Sequence, residues 1–252
     1  MTERDTLFSA AVDDIAGFRF DANVVKVFPD MIKRSVPGYQ TIIAMTGTLA
    51  ERYVLPNSRC YDLGCSLGAS TIAMRHGINA DGCSIVAIDN SPEMVARCEA
   101  IIAADARASI RPASDRQEPS VQVICNDVLD AEISQASMVV MNFTLQFIAP
   151  ELREDLIQRI YQGLQPGGIF ILSEKIAFAD KQLNTLMIDL HHAFKRANEY
   201  SELEISQKRT ALEDVLLPET LETHRHRLQN VGFSNIDVWF QCFNFASLLA
   251  IK

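Results

Sequence analysis

The ten residues YDLGCSLGAS, Tyr61 to Ser70, constrain this chain more than any others: an apolar run ends in an acid, turns on two glycines and opens a helix. A buried strand that feeds a helix through so short a turn is the first half of a βαβ unit, and such units build parallel sheets covered on both faces. Gly64 lets the chain bend and bring bare backbone against a ligand. Gly68 lets the new helix pack close to the sheet, and Asp62 leaves a carboxylate at the strand's end. Twenty-seven residues after Asp62 a second apolar run, Ser84 to Ile88, ends in Asp89-Asn90. An acid at the tip of the second strand is the expected ribose ligand of a nucleotide-binding fold.

The rest of the chain keeps this rhythm. Ser91-Pro92-Glu93 reads as an N-cap, a proline at the first helical position and an acid in the first turn. The helix that follows carries Met94, Val95, Cys98, Ile101 and Ile102 on one face. Further strands are expected at 121–125, 136–141 and 167–172, and a closing antiparallel hairpin at 236–251 with its reversal near Asn244. The expected fold is α/β, a Rossmann-like doubly wound sheet. Strand ends fall at Asp62, Asp89, Asp127, Asn142 and Ser173, which should converge on the crevice outside the carboxyl edge. Before the first strand, residues 1–56 read as helices. One opens at Phe28-Pro29-Asp30, and a Pro37-Gly38 turn leaves Tyr39 on a loop. Residues 106–119 read as a polar, mobile surface loop. After the fifth strand, 179–229 contains no strand-like run and reads as a helical lid of two or three helices. Within it Ser201 is placed as a cap, and Lys195, Arg196 and Lys208 on a solvated face. The whole of 1–252 is expected to form one domain.

Composition narrows the function classes. With 23 Lys+Arg against 32 Asp+Glu the formal charge is −9, which opposes a direct nucleic-acid footprint. The six cysteines include no CxxC pair and read as reduced core residues. His191-His192 and the His224/His226 pair have the wrong spacing to share a helix face, so no metal is expected. The opening residues lack a signal-peptide apolar core, and no run approaches a membrane span, so a cytoplasmic location without membrane contact follows.

The turn also speaks to the ligand. Its pattern is Gly-x-x-x-Gly, and the position where a dinucleotide fold brings a glycine against pyrophosphate holds side chains instead. Cys65-Ser66 there fits a ligand without phosphate, such as S-adenosyl-L-methionine, whose amino-acid tail would use the N–H groups of the turn. Gly64, Cys65, Ser66, Asp89 and Asn90 are then cofactor-binding candidates, with Asp89 on the ribose. Asp127 and Val128 would flank the adenine, and Asn142 would face the amino-acid and sulfonium end. Tyr39, on spacing alone, is a half-buried packing residue.

These segments, together with AIDNSPEM, ASMVVMNFTLQF, LSEKIAF, HHAFKRAN, YSELEISQKR and WFQCFNF, resemble the carboxy-S-adenosyl-L-methionine synthase family over nearly the whole chain. That family has the class I S-adenosylmethionine-dependent methyltransferase fold with a seven-stranded sheet. The 106–119 loop is the one departure and carries no motif residue. The resemblance implies conversion of S-adenosyl-L-methionine, as substrate, and prephenate to carboxy-S-adenosyl-L-methionine, phenylpyruvate and water. It makes Arg209 and Tyr39 the catalytic candidates, as ligands of the new carboxylate, and implies a homodimer. The product would go to a separate transferase that carboxymethylates wobble uridine in tRNA. A small-molecule methyltransferase and a non-catalytic S-adenosylmethionine-binding regulator are the alternatives.

Overall fold

In the computed structural model, residues 3–11, 17–108 and 118–252 are described. Two helices, α1 (Ala22–Ser35) and α2 (Tyr39–Tyr53), precede an alternation of β1 (Arg59–Leu63), α3 (Ala69–Gly77), β2 (Ser84–Asp89), α4 (Pro92–Ala108), β3 (Ser120–Cys125), β4 (Ala136–Asn142), α5 (Pro150–Gly163) and β5 (Leu164–Ala177). The lid contributes α6 (Lys181–Ala197), α7 (Glu202–Leu212), the two-residue β6 (Glu219–Thr220) and α8 (Leu221–Asn230) before the hairpin β7 (Asn235–Cys242) and β8 (Phe245–Ile251). The main path runs β3-β2-β1-β4-β5-β8-β7, with β6 paired to β5 off it. β1 pairs in parallel with β2 on one side and β4 on the other. Strand order reverses there, which opens a crevice at the carboxyl edge of the sheet.

Strand alternation divides the core into two layers. Tyr61, Leu63, Val139, Met141, Phe170 and Leu172 pack with Leu156, Ile157 and Ile160 of α5 and Leu228 of α8. Their neighbours Cys60, Met138, Val140, Ile169 and Ile171 pack the opposite way, onto Ala50 of α2 and Met74 of α3. Six of the seven β4 residues are buried, as expected for a central strand covered on both faces.

Four expectations are corrected. α1 does not open at Phe28. It starts at Ala22, capped by Asp21, whose Oδ1 accepts from the Asn23 and Val24 N–H groups at 2.9 and 3.0 Å, and Pro29 lies inside it. Burial of Val24, Val27, Phe28 and Met31 offsets the hydrogen bond that proline forfeits. Tyr39 is the first residue of α2, not a loop residue. Gly38 before it has φ +80°, and a Cβ there would stand 2.0 Å from Phe240.

The lid does contain a strand, the short β6, which pairs β5 beside the expected seven-stranded path. β6 is too short to show periodicity, and tertiary ionic contacts hold it. Arg153, fully buried on α5, reaches Glu219 Oε2 at 2.6 Å, and Arg227 reaches Oε1 at 2.6 Å. Burial pushes the Glu219 carboxyl up, but the two guanidiniums outweigh it and hold the group below its ordinary range. Finally, the cysteines are all free, but only Cys60, Cys65, Cys83 and Cys98 are core residues. Cys125 is exposed and Cys242 half-buried, because β3 and β7 are the sheet's two edges. Within the 106–119 segment, residues 109–117 lie outside the described residues. No helix among the described residues is long and apolar enough to cross a membrane.

Candidate active site

A cavity of about 1000 Å³ lies at the carboxyl edge of the sheet, and Tyr39, Gly64, Cys65, Ser66, Asp89, Asn90, Asp127, Val128, Asn142 and Arg209 all line it. This volume stands at the top of the roughly 300–1,000 Å³ range of small-molecule pockets. Space is therefore available for a nucleoside-sized ligand and a second small molecule.

The glycine turn is built differently from the sequence expectation. Gly64 has φ +80°, and a Cβ on it would stand 2.0 Å from Thr144 Oγ1, so glycine is required there. Its N–H does not face a ligand, however. The Gly64 and Cys65 N–H groups both donate to the Ile88 carbonyl, at 2.8 and 2.9 Å, the Gly68 N–H donates to Cys65 O, and the Ser66 N–H donates to Asp89 Oδ2 at 2.9 Å. These donors join β1 to β2, while Gly64, Cys65 and Ser66 still line the cavity. The Cys65 thiol packs with Ala87 and Cys98.

The carboxylates divide the same way. Asp89 accepts a second N–H, from Ser91 at 3.0 Å, on Oδ1. Each of its oxygens keeps one lone pair for a diol. Burial raises its pKa, and the backbone bonds oppose that. Asp127 Oδ1 accepts from the Leu129 N–H at 2.8 Å and caps the short 3₁₀ turn Val128–Asp130, which presents Val128 to the cavity. Asn142 is held at both ends: its Nδ2 donates to Ser70 Oγ at 2.9 Å, and Ser173 Oγ donates to its Oδ1 at 2.6 Å. Asp62 and Ser173, expected to reach the crevice, do not line it. Ser173 supports Asn142, and Asp62 accepts from Thr71 Oγ1 at 2.6 Å. Desolvation raises the Asp62 pKa to about 6, against the Thr71 bonds. Both side chains act one layer behind the surface, because β1 and β5 run one and four residues past them.

A family profile described as "Methyltransferase domain" matches residues 61–168. The carboxy-S-adenosyl-L-methionine synthase of Vibrio cholerae serotype O1 is 56% identical over 252 residues, covering 100% of this chain and 98% of that protein. The synthase of the same name from Photorhabdus laumondii is 55% identical over 250 residues, 99% of this chain and 95% of its own. The chain belongs to the carboxy-S-adenosyl-L-methionine synthase family. Its fold is that of the class I methyltransferases: a crystal structure titled as a putative S-adenosyl-L-methionine-dependent methyltransferase from Methanococcus maripaludis superposes with a TM-score of 0.58 at 21% identity, covering 96% of this chain and 97% of that one.

The lid supplies cavity residues that sequence reasoning missed. Lys195 and Lys208 are 7% and 6% exposed and line the cavity with Lys175, His191 and His192, so the solvated-face reading is corrected for both lysines. Arg196 does face solvent, paired with Glu202. The missed signal was spacing. His191 and Lys195 stand one turn apart and share a face, which folds inward because His191 Nε2 meets the Ser35 carbonyl at 2.8 Å and its ring meets Phe245 at 4.8 Å. α7 starts at the expected Ser201, which forms a full capping box with Glu204. It is fastened through Lys208, 3.5 Å from Asp5 Oδ2 and 3.2 Å from Ser35 Oγ, and through Gln207, which donates to the carbonyls of Phe8 and Ala10. Tyr200 OH also donates to Asp5, at 2.5 Å. Arg209, next along the helix, is exposed and lines the cavity, with no hydrogen bond or ion pair to the described residues. Among the described residues no cluster of three His, Cys, Asp or Glu could hold a metal.

Proposed function

We propose that this enzyme binds S-adenosyl-L-methionine in the crevice and converts it, with prephenate, to carboxy-S-adenosyl-L-methionine, phenylpyruvate and water. The observation that carries the reading is that Asp89, Asp127, Val128, Asn142 and Arg209 line one cavity, Arg209 having no ion pair to the described residues. Asp89 takes the ribose hydroxyls, Asn90 lies beside them, and Asp127 with Val128 borders the adenine. Asn142, fixed by Ser70 and Ser173, faces the sulfonium end.

In the reaction, the prephenate ring carboxylate leaves as carbon dioxide while the ring hydroxyl departs and the ring becomes aromatic. The departing hydroxide and the proton lost from the S-methyl group make the water. The resulting ylide carbon attacks carbon dioxide, which closes the balance. Arg209 offers two parallel N–H donors to the new carboxylate, and Tyr39 is its second ligand. Burial, then the nearby Asp62, raises the Tyr39 pKa, so the phenol stays a donor. Phe18, Phe20 and Phe147 line the cavity, with ring centroids of neighbouring pairs 5.2 and 5.5 Å apart. Such a wall limits water around a short-lived ylide.

Incubation of the protein with S-adenosyl-L-methionine and prephenate is expected to give a cofactor heavier by one carboxyl group in mass spectrometry. Unchanged cofactor mass, or transfer of the methyl group to a small acceptor, would overturn the reading. The enzyme is further proposed to work in the cytoplasm as a homodimer through the lid region, and to pass its product to a separate tRNA carboxymethyltransferase, since its own −9 charge opposes RNA contact. Equilibrium sedimentation should return twice the chain mass; a monomer at all concentrations speaks against the dimer.

A further inference from the structure

The cavity holds more positive charge than this chemistry uses. Lys195, more than nine-tenths buried, lines it, and its ammonium has no hydrogen bond or ion pair to the described residues. Lys175, half-buried on β5 opposite Phe245 of β8, also lines it; its backbone N–H donates to Gln146 Oε1 at 3.0 Å, and its ammonium has no hydrogen bond or ion pair to the described residues. A buried, unpaired ammonium costs several kcal/mol by the order of magnitude found for desolvated ions, and proteins keep one mainly where a ligand supplies the counter-charge.

The neighbouring groups supply little: Asp5 acts on Lys195, but it is paired with Lys208 and outweighed by burial and the other lysines. Lys208 is already paired with Asp5, and His191 is held by the Ser35 carbonyl. Asp189 and Glu213 line the cavity as exposed residues. Glu174 accepts the Leu145 and Gln146 N–H groups, and Asp89 and Asp127 are committed to backbone N–H groups. The strain shows in the titration of the cluster. Burial, then Lys208 and Lys175, pushes Lys195 down to about 7; burial, then Arg209, lowers Lys175; and burial, then Lys195 and Lys175, pushes His191 down to about 3. An anion would relieve all three.

The surroundings indicate what kind of anion. A row of rings runs from the lid to the front of the site: His191 against Phe245 at 4.8 Å, Phe245 against Phe143 at 6.0 Å, Phe143 against Tyr39 at 6.2 Å. Cations beside an aromatic row suit an anion that carries a ring. We propose that Lys195 and Lys175 form a second anion subsite, beside Arg209, that holds the side-chain carboxylate of a cyclic dicarboxylate co-substrate. This rests on the reaction proposed above, in which that carboxylate is the one retained in phenylpyruvate. The assignment to the retained group follows from transition-state logic: a cation on the departing carboxylate would stabilise the ground-state charge that decarboxylation must discharge. Anchoring the other end leaves the departing group free to point at the sulfonium.

The test uses the whole chain and Lys195→Met, which keeps an unbranched side chain one heavy atom shorter and removes the charge. The KM for prephenate is expected to rise roughly 10- to 100-fold, the scale of a lost charge-assisted hydrogen bond, with S-adenosylmethionine affinity unchanged. Inhibition by phenylpyruvate should weaken by the same factor, and Lys195→Arg should restore part of both. Lys175→Met carries the same expectation if Lys195→Met does not fold. Unchanged KM and unchanged phenylpyruvate inhibition in the folded variants would overturn the subsite while leaving the reaction standing. If wild-type protein makes no carboxylated product, the reaction fails instead. The subsite is then decided by calorimetric titration of phenylpyruvate into S-adenosylmethionine-loaded protein: binding lost in Lys195→Met sustains it, and equal binding or none overturns it.

Discussion

Arg209→Lys is expected to lower formation of the carboxylated product by about 100-fold or more, the scale on which loss of a transition-state charge partner acts, while S-adenosylmethionine still binds. Arg209 sits on the helix that Lys208 and Gln207 fasten to the N-terminal segment, and it has no partner among the described residues that a substitution would orphan. The variant therefore tests chemistry more than folding. Lysine keeps the charge but offers a point donor where a carboxylate needs a planar fork. Mass spectrometry of the cofactor after incubation with prephenate, beside calorimetry of S-adenosylmethionine binding, separates the two effects. Product formed at the wild-type rate would remove Arg209 from the reaction, and lost cofactor binding would show that its role is only to hold S-adenosylmethionine.

Asp89→Ala should weaken S-adenosylmethionine binding by roughly 10²- to 10³-fold, from two charge-assisted hydrogen bonds to the ribose at about 1.5–3 kcal/mol each, discounted for imperfect additivity. The unliganded protein should also melt earlier, because Asp89 ties the Ser66 and Ser91 N–H groups into the turn. Asp89→Asn should not be a mild substitution. Both carboxylate oxygens accept a backbone N–H, and an amide must turn its NH₂ group against one of those donors. Calorimetry and thermal unfolding of both variants check this. Wild-type affinity in Asp89→Ala would remove the ribose from this carboxylate.

Most of the fold is legible in the sequence because its signals are local and repeated. Short apolar strands stop at turn residues, and Ser91-Pro92-Glu93 and Ser201 carry cap chemistry that the structure repeats, with the Met94 N–H donating to Ser91 Oγ at 3.2 Å. β6 was not legible, since two residues have no period and the Arg153–Glu219–Arg227 ions that hold it are 66 and 8 residues apart in sequence. The start of α1 is obscured in the sequence because Phe28-Pro29-Asp30 has the composition of a helix opening, whereas the cap is Asp21, seven residues before Phe28.

The glycine turn shows where sequence reasoning ends. Its residues determined by themselves that a strand must bend sharply into a helix beside an acid, since few residues other than glycine accept the φ of position 64. Which way the turn's N–H groups point was decided only in three dimensions, where the Ile88 carbonyl and Asp89 claim them. The same holds for the lid. A run of charges on a helix is written identically whether it faces water or a cavity. Only the packing of His191 on Phe245 and Ser35 turned Lys195 inward, because burial depends on what the rest of the chain places opposite.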